Sequence, residues 1–312
     1  FEVVVREDGV LLVNGRPLLP VGIYNVPVEE FRRAKEMGFN VIGPYRETTP
    51  ERLAEAERLG LLVVASCPRR GMTIEEHIAE IRRSPALLGY YLFDEPSPGR
   101  APREAILELC RRAAKADPYR PTLGCNNLHH AYYAGTSDIM MVDAYPVPTD
   151  DLRKVLVARM EAARRAMRGR GAVWFIPQAF PWKAYCSRWL EKKEDGRAPT
   201  LDELRTMTWL GIVHGAKGVV FYSYFIQTFM IRVAYPALWR SLRYVVRELR
   251  ELSGLVLSPN WEGNVKADPH LVHLAARRWR GRLYIVACNT VNRPLEARLF
   301  VEGLKAQRLQ VI

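Results

Sequence analysis

Short continuous apolar runs alternate along the chain with stretches whose apolar positions recur every three to four residues. Runs of the first kind suit strands buried on both faces, and stretches of the second kind suit amphipathic helices. The apolar runs cover residues 18–24, 41–45, 61–66, 87–93, 121–125, 138–145, 173–180 and 218–225. Helical patterns follow at 28–37, 50–59, 103–115, 152–167 and 238–252. Two more helices open with capping boxes, Thr73-x-x-Glu76 and Thr200-x-x-Glu203, the second running to His214. After the fifth run, a segment rich in His, Tyr and Gly shows no clear helix up to Thr136.

Eight strand signals with helices between them, over roughly 250 residues, predict an α/β fold of the (β/α)8 TIM-barrel type. A doubly wound open sheet is the runner-up, and no G-x-G-x-x-G follows the first run to support it. Beyond Leu257 the pattern changes to short strands at 271–275, 283–287, 297–301 and 308–312, a small antiparallel appendage. Residues 3–19 form a hairpin pattern with Asp8-Gly9 and Asn14-Gly15 turns. Its place is either the barrel floor or the edge of the C-terminal strands. The expected division is a barrel over 1–255 and a β appendage over 256–312.

Composition narrows the function classes. Of 312 residues, 48% are hydrophobic and 26% charged, the balance of a folded globular chain. No apolar run reaches the roughly 18 residues of a membrane span, so no membrane partner is expected. Lys and Arg number 46 against 34 Asp and Glu, a net charge of +12. That raises nucleic-acid binding, whose signature is salt-dependent affinity for DNA. The positive charge is spread over helical stretches, as at Arg111, Arg112, Arg164, Arg165 and Arg168, which fits solvated helix faces better. An Arg-rich surface also suits a thermophilic habitat.

The cysteines, at 67, 110, 125, 186 and 288, are odd in number and show no zinc-site spacing. They leave room for one disulfide and no framework. The adjacent His129 and His130 are a poor metal pair without further ligands. No metal or cofactor is expected. Phe1 leaves the start of the chain uninformative about localisation; a secreted or periplasmic place follows if the substrate is a polysaccharide.

Active sites of such barrels lie at the C-terminal ends of the strands. In order, the eight ends carry Tyr24 and Asn25; Tyr45, Arg46 and Glu47; Ser66 and Cys67; Asp94 and Glu95; Asn126 and Asn127; Asp143 and Tyr145; Gln178, Phe180 and Trp182; and Tyr222 and Tyr224. Carboxylates move protons, amides hydrogen-bond hydroxyls, and flat aromatic faces suit sugar rings. The set points to a neutral, hydroxyl-rich substrate. Glu95 stands out, because it ends the apolar run Leu-Leu-Gly-Tyr-Tyr-Leu-Phe, where a carboxylate is costly unless it is used or paired. Because successive strand residues face opposite ways, Asp94 and Glu95 share the cleft only if the strand has already ended.

The run Tyr91-Leu92-Phe93-Asp94-Glu95-Pro96 resembles the strand-four Asn-Glu-Pro signature of the retaining, clan A glycoside hydrolases. Asn14-Gly15 before Leu19-Pro20-Val21-Gly22-Ile23-Tyr24, and Gly38-Phe39-Asn40-Val41-Ile42, resemble the opening strands of those barrels. The resemblance spans about residues 9–255. It implies an endoglucanase-like glycosidase in which Glu95 protonates the leaving glycosidic oxygen. Two departures stand against it. The family's Asn is Asp94, and its strand-seven nucleophile Glu matches Gln178, which cannot attack an anomeric carbon. Either the correspondence is shifted, or the second carboxylate comes from elsewhere, or the chain is altered or inactive.

Asp143 is the replacement candidate as nucleophile or base, with a structural Asp as the alternative. A separation from Glu95 of about 5 Å would mean retention and roughly 6.5–9.5 Å inversion. The expected catalytic set is Glu95, Asp143 and Asp94. The expected substrate contacts are Tyr24, Asn25, Tyr45, Arg46, Asn126, Asn127, Tyr145, Gln178, Trp182, Tyr222 and Tyr224. Tyr185 and Trp189 share the loop of Trp182 and are either stacking platforms or loop anchors; Trp209 and His214 fit packing better. The expected activity is hydrolysis of a β-linked glycan, of endo-acting β-glucanase type, with a carbohydrate as the partner. The adjacent Asp-Glu pair also resembles substrate-assisted N-acetylhexosaminidases, in which the sugar itself is the nucleophile. A glycan-binding barrel without turnover is the rival from outside enzymology.

Overall fold

The computed structural model describes residues 1–68, 71–148, 151–185, 196–227, 229–304 and 310–311. Eight parallel strands close into a barrel with helices between them. In chain order they are Val21–Ile23, Val41–Ile42, Leu62–Ala65, Leu87–Asp94, Thr122–Asn126, Ile139–Ala144, Ala172–Pro177 and Val219–Phe221, named here strands one to eight. Each neighbours the next, and strand eight closes on strand one through Val219↔Val21, Val220↔Gly22 and Phe221↔Ile23. The fold is a TIM barrel with a small C-terminal β domain.

Local chemistry sets the helix starts. Thr49 accepts from Arg52 N at 3.3 Å, with Pro50 at the first helical position. Both capping boxes form, Thr73 with Glu76 and Thr200 with Glu203. The stretch 152–167 is a π-helical turn, Arg153–Val157, running into the α-helix Ala158–Met167. The segment after strand five holds a short helix, His130–Tyr133. Four residues are too few to leave a periodic trace.

Alternation along the strands builds two apolar layers. Val41, Val64, Leu88, Leu123, Ile139, Met141, Trp174, Ile176 and Val220 fill the barrel interior. Their neighbours Ile42, Val63, Leu87, Met140, Val142, Phe175 and Val219 face the helices. The N-terminal segment is a three-stranded antiparallel sheet, Val3–Val5, Leu11–Val13 and Arg16–Leu18. Val3 and Leu11 join the interior layer. At Gly9, φ is +82°, and a Cβ there would lie 3.5 Å from Ala172 Cα, so the turn sits against the start of strand seven. The segment therefore covers the barrel floor, one of its two expected places.

The C-terminal strands pair Val265–Asp268 with Arg298–Val301 and Val272–Trp279 with Arg282–Asn289. Three of the expected runs lie within them. The strand Val265–Asp268, with only two apolar residues among its four, left no signal, and the expected run at 308–312 falls mostly outside the described residues. Arg277 is 2% exposed and donates to Val256 O at 2.9 Å and Ser258 O at 3.1 Å, tying these strands to the barrel's last helical turn. His273 meets His214 of the helix Leu201–Val213 and its cap, ring nitrogen to ring nitrogen, at 2.9 Å. Among the described residues Cys67, Cys110, Cys125 and Cys288 are free thiols, while Cys186 lies outside them.

Burial pushes His214 down to about 4, with His273 and Arg164 adding to the effect, and burial also lowers His273. A histidine depressed in the folded state contributes stability above its unfolded pKa of about 6.5 and loses it as pH falls toward the folded value. The protein is therefore expected to lose thermal stability between about pH 6.5 and 4. The His214→Gln variant should show a shallower loss over that window in thermal melts.

Candidate active site at the strand ends

The inward parity of the strands decides which residues meet at the barrel mouth. Tyr24, Tyr45, Cys125, Asp143, Tyr145, Gln178 and Tyr222 each follow an inward residue by two or by a short run of two-residue steps. Strand four breaks the rule usefully. Its register with strand five shifts between Tyr91 and Phe93, and Leu92 and Phe93 both pack on the helix side. That bulge returns Asp94 to the face of Tyr91. Glu95 then adopts φ +43°, a left-handed conformation that costs roughly 1–2 kcal/mol for a residue with a Cβ. Strand pairing ends at Asp94, although Glu95 N still reaches Cys125 O at 3.0 Å. Both carboxylates consequently reach the same mouth.

Asp94 accepts from Tyr45 and from Tyr91, each at 2.5 Å, one phenol per carboxylate oxygen. Tyr45 has φ +82° and Asn25 φ +60°, so three strand ends turn through left-handed residues. Tyr24, Tyr45, Tyr91 and Tyr222 stand edge to face, Tyr24 lying 5.1 Å from Tyr45 and 5.5 Å from Tyr222. Tyr145 extends the group to Phe180 at 5.0 Å and Trp182 at 6.3 Å, and Trp182 to Tyr185 at 6.0 Å. Burial holds these phenols in the neutral form, with Asp94 reinforcing this at Tyr45.

Asp143 is 2% exposed at the end of strand six. Burial first, then a hydrogen bond and repulsion from Glu95, raise its pKa well above the carboxylate range. The buried site beside Glu95 thus favours the protonated form of the Asp143 carboxyl. Arg159 donates to the main-chain oxygen of Asp143 at 2.9 Å, and its charge opposes that rise without overcoming it. Asp143 Oδ1 and Asn126 Nδ2 are buried with no hydrogen-bond partner among the described residues, polar atoms that a bound hydroxyl could satisfy.

Gln178 is fully buried, and its amide is committed elsewhere. Its Oε1 accepts from Val147 N at 2.9 Å, and its Nε2 donates to Val147 O and Phe180 O, both at 3.0 Å. These three bonds fasten the loop after strand six to that after strand seven. Tyr224 lies outside the mouth, donating to Glu30 at 2.6 Å beside Arg232. Asn25 donates to Phe225 O at 2.8 Å, a tie to the loop after strand eight. Arg46 stacks over Phe225 at 5.1 Å, its Nε buried without a partner among the described residues. Asn127 follows strand five, half-buried, and Trp189 is outside the described residues.

A cavity of about 410 Å³ opens beside Asp94, lined among others by Tyr45, Arg46, Glu47, Cys67 and Tyr91. Among the described residues no group of three or more His, Cys, Asp or Glu is arranged to hold a metal ion. Tyr91 and Arg159 escaped the sequence reading. Plain alternation sets Tyr91 opposite Asp94, and only the bulge brings them together.

No protein-family model matches the chain. No curated protein sequence matches it either. Solved structures do resemble it in shape. The galacturonate-bound GH2 β-galacturonidase of Eisenbergiella tayi aligns with a TM-score of 0.59 at 15% identity, over 80% of this chain and 54% of that one. For Bacteroides uniformis β-glucuronidase 3 the values are 0.52 and 17%, over 71% and 34%. For the β-D-glucuronidase of Dictyoglomus thermophilum they are 0.51 and 15%, over 74% and 49%. The chain spans a third to about half of these proteins' length, and what it shares with them at such identity is the fold.

Two substitutions follow from this geometry. Gln178→Glu sets a carboxylate against the oxygens of Val147 and Phe180, and is expected to destabilise the protein by about 2–4 kcal/mol in urea unfolding, with no gain of glycosidase activity. A carboxyl raised in the folded state costs stability as pH climbs above its unfolded value of about 4. Asp143→Asn, which cannot ionise, is therefore expected to gain in melting temperature relative to the parent as pH rises from about 4 to 8.

Proposed function

We propose that the chain is a glycoside hydrolase acting on β-linked glycans, with Glu95 as its general acid. The observation that carries this reading is the convergence of Glu95, Asp94 and Asp143 on one aromatic barrel mouth, against the alternation that would separate Asp94 from Glu95. Glu95 gives its proton to the leaving glycosidic oxygen as that C–O bond breaks. Water then supplies hydroxide to the anomeric carbon and returns a proton to the carboxylate. Asp143, whose proton is favoured by burial and by Glu95, serves as the proton partner of the acid. Asp94, held by two phenols, orients substrate hydroxyls, and Tyr24, Tyr45, Tyr145 and Tyr222 offer ring faces to the sugar. The polymer we favour is of the β-glucan type, cut internally.

The committed amide of Gln178 and the contact between Asp143 and Glu95 favour one second reading. With no free second carboxylate opposite Glu95, an N-acetyl group of the substrate would serve as nucleophile, positioned by Asp94. The β-galacturonidase and β-glucuronidase among the fold neighbours add uronides to the substrates worth testing, because Arg46 Nε would meet a sugar carboxylate.

The test is sugar release from β-glucans, xylan, mannan, chitin oligomers and aryl β-uronides, by the protein and by Glu95→Gln. Activity on at least one substrate is expected, falling by a factor of roughly 10² or more in the variant. Release from chitin oligomers alone selects the substrate-assisted reading. Glycan binding without release by the unaltered protein would replace both with a binding barrel.

A further inference from the structure

The floor of the barrel, at the opposite end from the carboxyls, holds a second cavity of about 410 Å³. It lies between the Asp8-Gly9 turn, the C-terminal end of the helix Ala158–Met167 and the segments leading into strands seven and eight. Arg164, Arg165, Arg168 and Lys217 line it, facing Glu7 and Asp8. Asp8 is already gripped by Arg6, which donates to its two oxygens at 2.9 and 2.7 Å.

Lys217 is the unusual member. It is only 9% exposed and makes no ion pair among the described residues, and burial pushes it down to about 8. An ammonium held this far out of water is costly, and its nearest opposing charge, Asp8, is already gripped by Arg6. The three arginines alone would be unremarked, since cations suit the end of a helix. That explanation does not extend to Lys217, which follows a different helix and points its stem under Gly9, 3.4 Å from where a Cβ there would sit. The wall beside the arginines is bare: a Cβ on Gly169, at φ +67°, would meet nothing within 4 Å.

We propose that this cavity binds a small phosphate-bearing anion, with Lys217 at its base and Arg164, Arg165 and Arg168 at its rim. A tetrahedral phosphate offers oxygens to cations arriving from several directions, whereas a planar carboxylate matches a single guanidinium. The volume accommodates a phosphate together with a body the size of one sugar. The site is independent of the strand-end chemistry.

The test is calorimetric titration of the full chain with inorganic phosphate, glucose 6-phosphate and citrate at constant ionic strength. It compares the parent, Lys217→Met and the triple variant Arg164→Gln, Arg165→Gln, Arg168→Gln. Saturable one-to-one binding of a phosphate probe is expected, weakened about tenfold or more in each variant. Tighter binding of glucose 6-phosphate assigns the site to a phosphate ester, and tighter binding of inorganic phosphate to the free ion. The absence of saturable binding, unchanged affinity in the triple variant, or tighter binding of citrate than of either phosphate probe would overturn the proposal. The triple variant changes only exposed side chains, so it decides the matter even if Lys217→Met does not fold.

Discussion

Closure of eight parallel strands, each presenting every second side chain to the interior, is the constraint on which this structure rests. A closed barrel has no free edges, so every strand is committed on both sides and its inward residues must fill a fixed volume. Trp174, Ile176, Met141, Leu88 and Val220 do so. The same alternation, carried past the last apolar layer, delivers Tyr24, Tyr45, Tyr145 and Tyr222 to the mouth. The floor cannot be left open to water under that core, and Val3 and Leu11 close it. Packing and site geometry are two ends of one pattern.

The mouth concentrates charge in a place that penalises it. Three carboxyls meet there, and the structure treats each differently. Asp94 is met by two phenols, Asp143 is kept protonated by burial and by Glu95, and Glu95 stays at the exposed end. The left-handed backbone at Glu95 is the local cost of bringing them together. The opposite end of the barrel gathers cations, so the net +12 of the chain is distributed unevenly along the barrel axis.

Much of this architecture was legible in the amino-acid order. The eight apolar runs overlap the eight barrel strands, and both capping boxes form as Thr73-x-x-Glu76 and Thr200-x-x-Glu203 imply. These signals are local, because burial on both faces demands an unbroken apolar run and a cap needs only residues three apart. The short helix His130–Tyr133 and the polar strand Val265–Asp268 were not legible, being too brief or too charged for periodicity to register.

Sequence alone determined the strand count, the order of elements and which residue types gather at the strand ends, since each depends on neighbours within a few positions. Tertiary structure decided the roles. The bulge between Tyr91 and Phe93 set Asp94 beside two phenols. Strand closure laid Asp143 against Glu95, and the loop after strand six took two of the three bonds of the Gln178 amide. It also carried Tyr224 away to Glu30, although it lies only two residues from Tyr222. Most of these outcomes join residues far apart in the chain, and even the short-range contact of Tyr91 with Asp94 depends on the bulge; hydrogen bonding and burial of this kind are set by register and closure, which no local pattern encodes.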